Sequence, residues 1–321
     1  MCARYFLLLK KVSFKCIFLS VILVTTFLIL IIFLRSSNLN KENDLYMHDV
    51  PSDLYLKVLQ SWYNRTNPHS WYNKINISMK DKEFLKELRD VWIDVAYDPS
   101  KPYNLQKPEV EDQSMGQAAV IREILKDKRQ GFFVECGAYD GETRSNTLFL
   151  ERFYDWTGLL VEADPINFTK LLQKNRKAFI SPTCLSINGR ATVAPFLMAR
   201  NIGRLHSPDN STESFTNSPD VAHTGVHLDV QCFPLEAYLY ALKVNTVHYL
   251  SLDIEGYEAE VLENIPFHLI DIQTLSVEHK HSEKGKGYMI DLMRKRGYKV
   301  YAYVERDDNL ANDIIFVKAD L

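Results

Sequence analysis

The chain has 321 residues, 46% apolar and 25% charged, with 38 Lys and Arg against 41 Asp and Glu. That composition excludes wholesale disorder, and the near balance of charge excludes a general electrostatic attraction to nucleic acid. Five cysteines are too few for a disulfide-built scaffold.

The first element is a run of 19 residues without a charge, 16–34. At 1.5 Å per helical residue it spans about 28 Å, close to the hydrocarbon thickness of a bilayer. It is longer than the apolar region of a signal peptide and ends without a small-residue cleavage site. The expectation is an uncleaved anchor over 12–34, with a cytosolic tail at 1–11. Arg4, Lys10, Lys11 and Lys15 precede the run, whereas Arg35 alone follows it closely, so the positive-inside rule puts the C-terminal part in the lumen. Four sequons, at Asn64, Asn76, Asn167 and Asn210, are usable glycosylation sites in that topology. In an oxidising lumen Cys136 reads as a buried apolar residue, and Cys184 and Cys232 are expected to pair.

Residues 35–112 read as a lumenal stem. Two short helices are expected there, one over 51–62 and one capped by Ser78 that carries Phe84, Leu85, Leu88, Val91 and Trp92 on one face. Pro99, Pro102 and Pro108 then break the chain.

From residue 113 onward, apolar strands alternate with helices. Helices are expected at 115–129, 166–177, 235–242 and 287–296. Strands are expected at 132–136, 158–163, 179–186, 192–198, 247–253, 270–278, 298–304 and 313–318. The polar stretch 200–229 reads as a surface loop. Such alternation implies a parallel, helix-covered sheet, with an antiparallel edge formed by the last two strands.

Three strand ends carry chemistry. The first is Glu135-Cys-Gly137-Ala-Tyr-Asp140-Gly141, where Gly137 suits a tight turn and Gly141 lets a ligand approach the backbone. The second strand ends in Glu162 and Asp164. Glu162 lies 21 residues after Gly141, the spacing of an acid that accepts hydrogen bonds from ribose hydroxyls. The third delivers Asp253, Glu255 and Gly256 to a substrate-facing edge. A later strand ends in Glu278 and His279, a pair suited to proton transfer. His279 and His281 lack the partners a metal site needs, and no metal is expected.

These three segments, in this order over residues 113–321, resemble the FkbM family of S-adenosylmethionine-dependent O-methyltransferases. The resemblance implies a class I methyltransferase fold, an α/β Rossmann-like domain with a mostly parallel seven-stranded sheet, and S-adenosylmethionine as cofactor. It puts Glu135, Gly137 and Gly141 on the methionine side and Glu162 on the ribose. Asp140 and Asp164 complete the cofactor set, and Asp253 and Glu255 face the reaction centre. The anchor, stem and domain together look like the arthropod Star proteins. That likeness implies a type II protein of the endoplasmic reticulum and Golgi membranes that assists vesicle transport of membrane-bound precursors of epidermal growth factor receptor ligands. The alternative is a lumenal O-methyltransferase acting on a glycan or small-molecule hydroxyl.

Overall fold

The computed structural model describes residues 52–74, 77–199, 202–205, 226–308 and 310–321. The expected anchor at 12–34 and the sequons at Asn76 and Asn210 lie outside them. Among the described residues no helix is long and apolar enough to cross a membrane.

In chain order, α1 (Ser52–Arg65) and α2 (Lys82–Glu87) come first, the latter running into a π turn at Leu88–Trp92. Asp81, rather than Ser78, caps α2, accepting from the amides of Glu83 and Phe84 at 2.9 Å each. Next come α3 (Gln117–Ile124), β1 (Phe132–Cys136), α4 (Leu148–Tyr154), β2 (Thr157–Val161), α5 (Pro165–Leu172) and β3 (Phe179–Ser181). Four strands follow, β4 (Cys184–Leu185), β5 (Thr192–Met198), β6 (Arg204–Leu205) and β7 (Val226–Phe233). The chain closes with α6 (Leu235–Leu242), β8 (Thr246–Leu252), α7 (Glu258–Asn264), β9 (Asp271–Glu278), α8 (Gly285–Lys295), β10 (Tyr298–Glu305) and β11 (Asn312–Lys318).

Seven strands form one sheet in the order β10-β11-β9-β8-β1-β2-β3. β3, β2, β1, β8 and β9 run parallel; β11 is antiparallel to both β9 and β10, the edge the sequence leads one to expect. The order reverses at β1, so the carboxyl ends of β1, β2 and β8 open a crevice, the place where such sheets bind ligands.

The remaining strands form a second sheet, β4-β7-β5-β6. These strands depart from the elements expected from the sequence. The run at 179–186 is two strands in two sheets, and β6 and β7 occupy ends of the stretch read as a loop. Val226, Leu228 and Val230 alternate with His227 and Asp229, a half-buried pattern whose hydrogen bonds go to β5 over seven residue pairs. Cys184 and Cys232 are register partners in β4 and β7 and are joined in a disulfide, their Cα atoms 4.4 Å apart. Cys136 is free and buried.

Val50–Leu321 form one compact unit. Phe84, Leu88 and Trp92, from the segment expected to be a stem, are at most 1% exposed and belong to the main core. The Trp92 ring lies 5.6 Å from Phe233, and Phe84 lies 5.9 Å from it. Burying side chains of this size contributes about 1.5–3 kcal/mol each, which is why the segment folds onto the sheet instead of standing off it. Residue 112 is therefore not a boundary of the folded unit.

Candidate functional site

The loop after β1 is built around Gly137, which has φ 79°. A Cβ there would collide with the Asp253 carbonyl oxygen, so the ends of β1 and β8 meet backbone to backbone. Glu135 does not face the cleft as expected. It is 4% exposed and accepts from the Ser145 hydroxyl at 2.9 Å, the Asn146 amide at 2.7 Å and the Thr147 hydroxyl. Burial pushes its carboxyl up, against the pull of Arg176 and these donors. Asp140 likewise turns inward and accepts from the amides of Glu142 and Thr143. Gly141 makes room for Leu171 rather than for a ligand, and its carbonyl accepts from Arg176. Arg176 in turn pairs with Glu151 at 3.1 Å, both side chains at most 1% exposed. These residues hold the loop in shape from behind.

At the end of β2, Glu162 is 6% exposed and lines the cleft. Its two oxygens accept from the amides of Tyr139 at 2.7 Å and Asp164 at 2.8 Å. This ties the β1 loop to the β2 loop. Burial, with the Asp164 charge beside it, pushes its carboxyl up to about 8. Asp164 caps α5 through the amides of Ile166 and Asn167 and does not reach the cleft. Asn167 corrects another expectation: it is 4% exposed and lines the cleft, so a glycan has no access to it. Asn64 is exposed near the end of α1.

Beyond β8, Asp253 and Glu255 both line the cleft. Asp253 opens to the cleft while protein crowds it on its other sides; burial and then the Glu255 charge push its carboxyl well above the usual range. Glu258 and Glu278 stand behind. Glu258 accepts from the amides of Ile254 at 2.8 Å and Gly256 at 3.1 Å, and Glu278 from the amide of Lys280 at 2.6 Å. Burial pushes both carboxyls up. Carboxylate oxygens of Asp253, Glu258 and Glu278 lie within 4.8 Å of one another, close enough for a cation, but the last two are engaged by backbone amides. His279 does not join them. It follows Glu278 on the alternating strand, so its ring points the other way, 3.1 Å from Glu305. His281 reaches the cluster instead, its Nδ1 2.7 Å from a Glu255 oxygen.

The resulting cleft has about 990 Å³ of free space when counted out through its open mouth. Glu162 beyond β2 and Asp253 and Glu255 beyond β8 flank the Gly137 turn of β1, and Arg144 and Asn146 also line the cleft. The second sheet supplies a wall not expected from the sequence, Cys184, Leu185, Phe196 and Leu205, and Thr183 adjoins it just before β4. No local signal marks them, because they reach the cleft only once β4 and β6 pair in a separate sheet.

A family model for the methyltransferase FkbM domain matches residues 135–300. The chain belongs to the FkbM methyltransferase domain family. The match covers the Gly137 loop, the Glu162 strand and the Asp253 turn together. No curated protein matches the chain. Among solved structures, a methyltransferase from Pyrococcus furiosus is 12% identical, with a TM-score of 0.35 over 64% of this chain and 82% of that one. An S-adenosylmethionine-dependent methyltransferase from Leishmania major is 13% identical, with a TM-score of 0.34 over 77% and 88%. The Burkholderia thailandensis 1,6-didemethyltoxoflavin-N1-methyltransferase, solved with 1,6-didemethyltoxoflavin and S-adenosylhomocysteine, is 11% identical with a TM-score of 0.31 over 78% and 89%. None of these likenesses is close enough to carry weight. The family match does.

Proposed function

We propose that this FkbM-family chain is an S-adenosylmethionine-dependent O-methyltransferase that acts on a hydroxyl of a glycan or small molecule. One observation carries the reading. The Gly137 loop and the buried Glu162, at the ends of adjacent parallel strands, open into a single cleft that also contains Asp253 and Glu255.

The residues present fit the cofactor. Glu162 accepts from two backbone amides and from the Asn167 side chain, which leaves acceptor capacity on the carboxyl for a ribose hydroxyl. Val161, Ala163 and Leu185 give the same end apolar surface suited to a base. When bound, S-adenosylmethionine supplies an electrophilic methyl group on a sulfonium sulfur. The chain's own contribution is to orient the acceptor hydroxyl at Asp253 and Glu255 and to exclude water. Fixing two reactants in this way supplies the larger part of the rate gain in such transfers.

A lumenal setting belongs to the same proposal. The charge-free run at 16–34 supports anchorage, and the Cys184–Cys232 disulfide supports an oxidising compartment. The family match bears on methyl transfer and gives no support to transport of receptor-ligand precursors.

Calorimetry of the full-length chain with S-adenosylmethionine tests the reading. Binding is expected, and Glu162→Ala is expected to weaken it about 10- to 100-fold, the cost of leaving the ribose hydroxyls without their partner. Absence of heat in the wild-type chain, with its thermal unfolding intact, would refute the proposal.

A further inference from the structure

The turn after β8 and the end of β9 are built against each other. Gly256 has φ 120°, and a Cβ there would come within 2.9 Å of the His281 carbonyl oxygen, so the two segments touch along their backbones. Glu255, itself in the left-handed region at φ 61°, is thereby aimed so that one oxygen meets His281 Nδ1 at 2.7 Å while the residue still lines the cleft. Both side chains are shielded, 13% exposed for His281 and 16% for Glu255. A strained backbone at a residue that faces a binding cleft and holds a histidine is a feature typical of functional sites.

Other charged groups surround this pair. Asp253 sits on the same turn, Glu258 on α7 and Glu278 on β9, the last 4.0 Å from His281 Nδ1. Arg204 on β6 faces Glu255 from the second sheet. The histidine is thus set in a predominantly acidic surround, and Glu255 is its link to the cleft. His279, which the sequence favours, lacks such a link: its partner Glu305 also binds Lys286 at 2.6 Å on the outer edge of the sheet.

We propose that His281 is a positioning residue for proton removal from the acceptor, acting through Glu255; the role rests on the methyltransferase reading. In the transfer, the acceptor O–H bond breaks and its oxygen bonds to the methyl carbon. The C–S bond breaks with its electron pair left on sulfur. The proton passes to the Glu255 carboxylate and is shared with His281 Nδ1 across their contact. A carboxylate alone would leave that proton beside three other acids; the imidazole gives it a place to reside.

The test is the titration of the His281 ring, followed by NMR in the full-length chain with isotope-labelled histidine and assigned by its disappearance in His281→Gln. Glu255→Gln is expected to lower the midpoint by about one pH unit or more, a tenfold loss of proton affinity. Glu305→Gln, which removes only the partner of His279, is expected to leave it in place. Added S-adenosylmethionine, whose sulfonium carries a positive charge, is expected to lower the midpoint further than S-adenosylhomocysteine, which has none. A midpoint indifferent to Glu255→Gln overturns the proposal whatever binds. A midpoint that depends on Glu255 but does not distinguish the two ligands, when calorimetry shows both bound, makes the pair structural and also overturns it. Absence of any S-adenosylmethionine binding fails the parent reading instead, and the relay with it.

Discussion

Gly137 serves two constraints at once. Its backbone has a positive φ that L residues rarely adopt, and its missing side chain is the space taken by the Asp253 carbonyl. Gly137→Ala therefore has no cheap relief, because the obstacle is backbone rather than a flexible side chain. The expected outcome is a loss of about 3 kcal/mol or more in urea unfolding, as for other clashes in packed cores, with weakened S-adenosylmethionine binding. An unchanged unfolding midpoint would show that β1 and β8 can part at this point. At the same scale, the sequence marks the acids but not their directions. Glu162, Asp253 and Glu255 reach the cleft, whereas Glu135, Asp140 and Asp164 turn inward to backbone amides and hydroxyls. Spacing along the chain separates neither group, since loop amides decide which carboxylate is captured. Strand alternation does account for His279, which points away because Glu278 points in.

At the scale of elements, local pattern and tertiary partner separate. The helical pattern after Ser78 is legible in the sequence, with Phe84, Leu88 and Trp92 on one face. Its partner is not, because the apolar face it covers comes from Phe233 and Tyr238, more than a hundred residues later. Trp92 is 1% exposed, and Trp92→Ala is expected to cost about 3–5 kcal/mol of stability, read as a lower urea midpoint. A loss under about 1 kcal/mol would return this segment to the status of a stem. The second sheet escaped notice for a related reason. Its strands β4 and β6 are two residues long, too short for any periodicity, and owe their form to β7 and β5.

Across the whole molecule, buried acids set the response to pH. Burial pushes Glu162 up to about 8, Glu236 to about 7, and Asp164 and Asp313 to about 6. Between about pH 4.5 and 8 the folded chain therefore holds protons that the unfolded chain has released, and stability falls as pH rises through that window. Urea unfolding at pH 5 and pH 8 is expected to give the higher midpoint at pH 5, with a smaller difference in Glu162→Gln. The reverse order would mean that these carboxyls are ionised and paired in the folded state. Composition, strand–helix alternation and the three acidic strand ends are local properties, so the sequence alone determined the α/β class, the antiparallel edge and the family resemblance. Only the tertiary structure decided which acids face the cleft, that His281 and not His279 meets Glu255, and that the second sheet and the 52–112 segment complete the fold. The physical reason is that each of these depends on contacts between residues far apart in the chain, and no local pattern records which backbone amide or apolar face will be there to meet them.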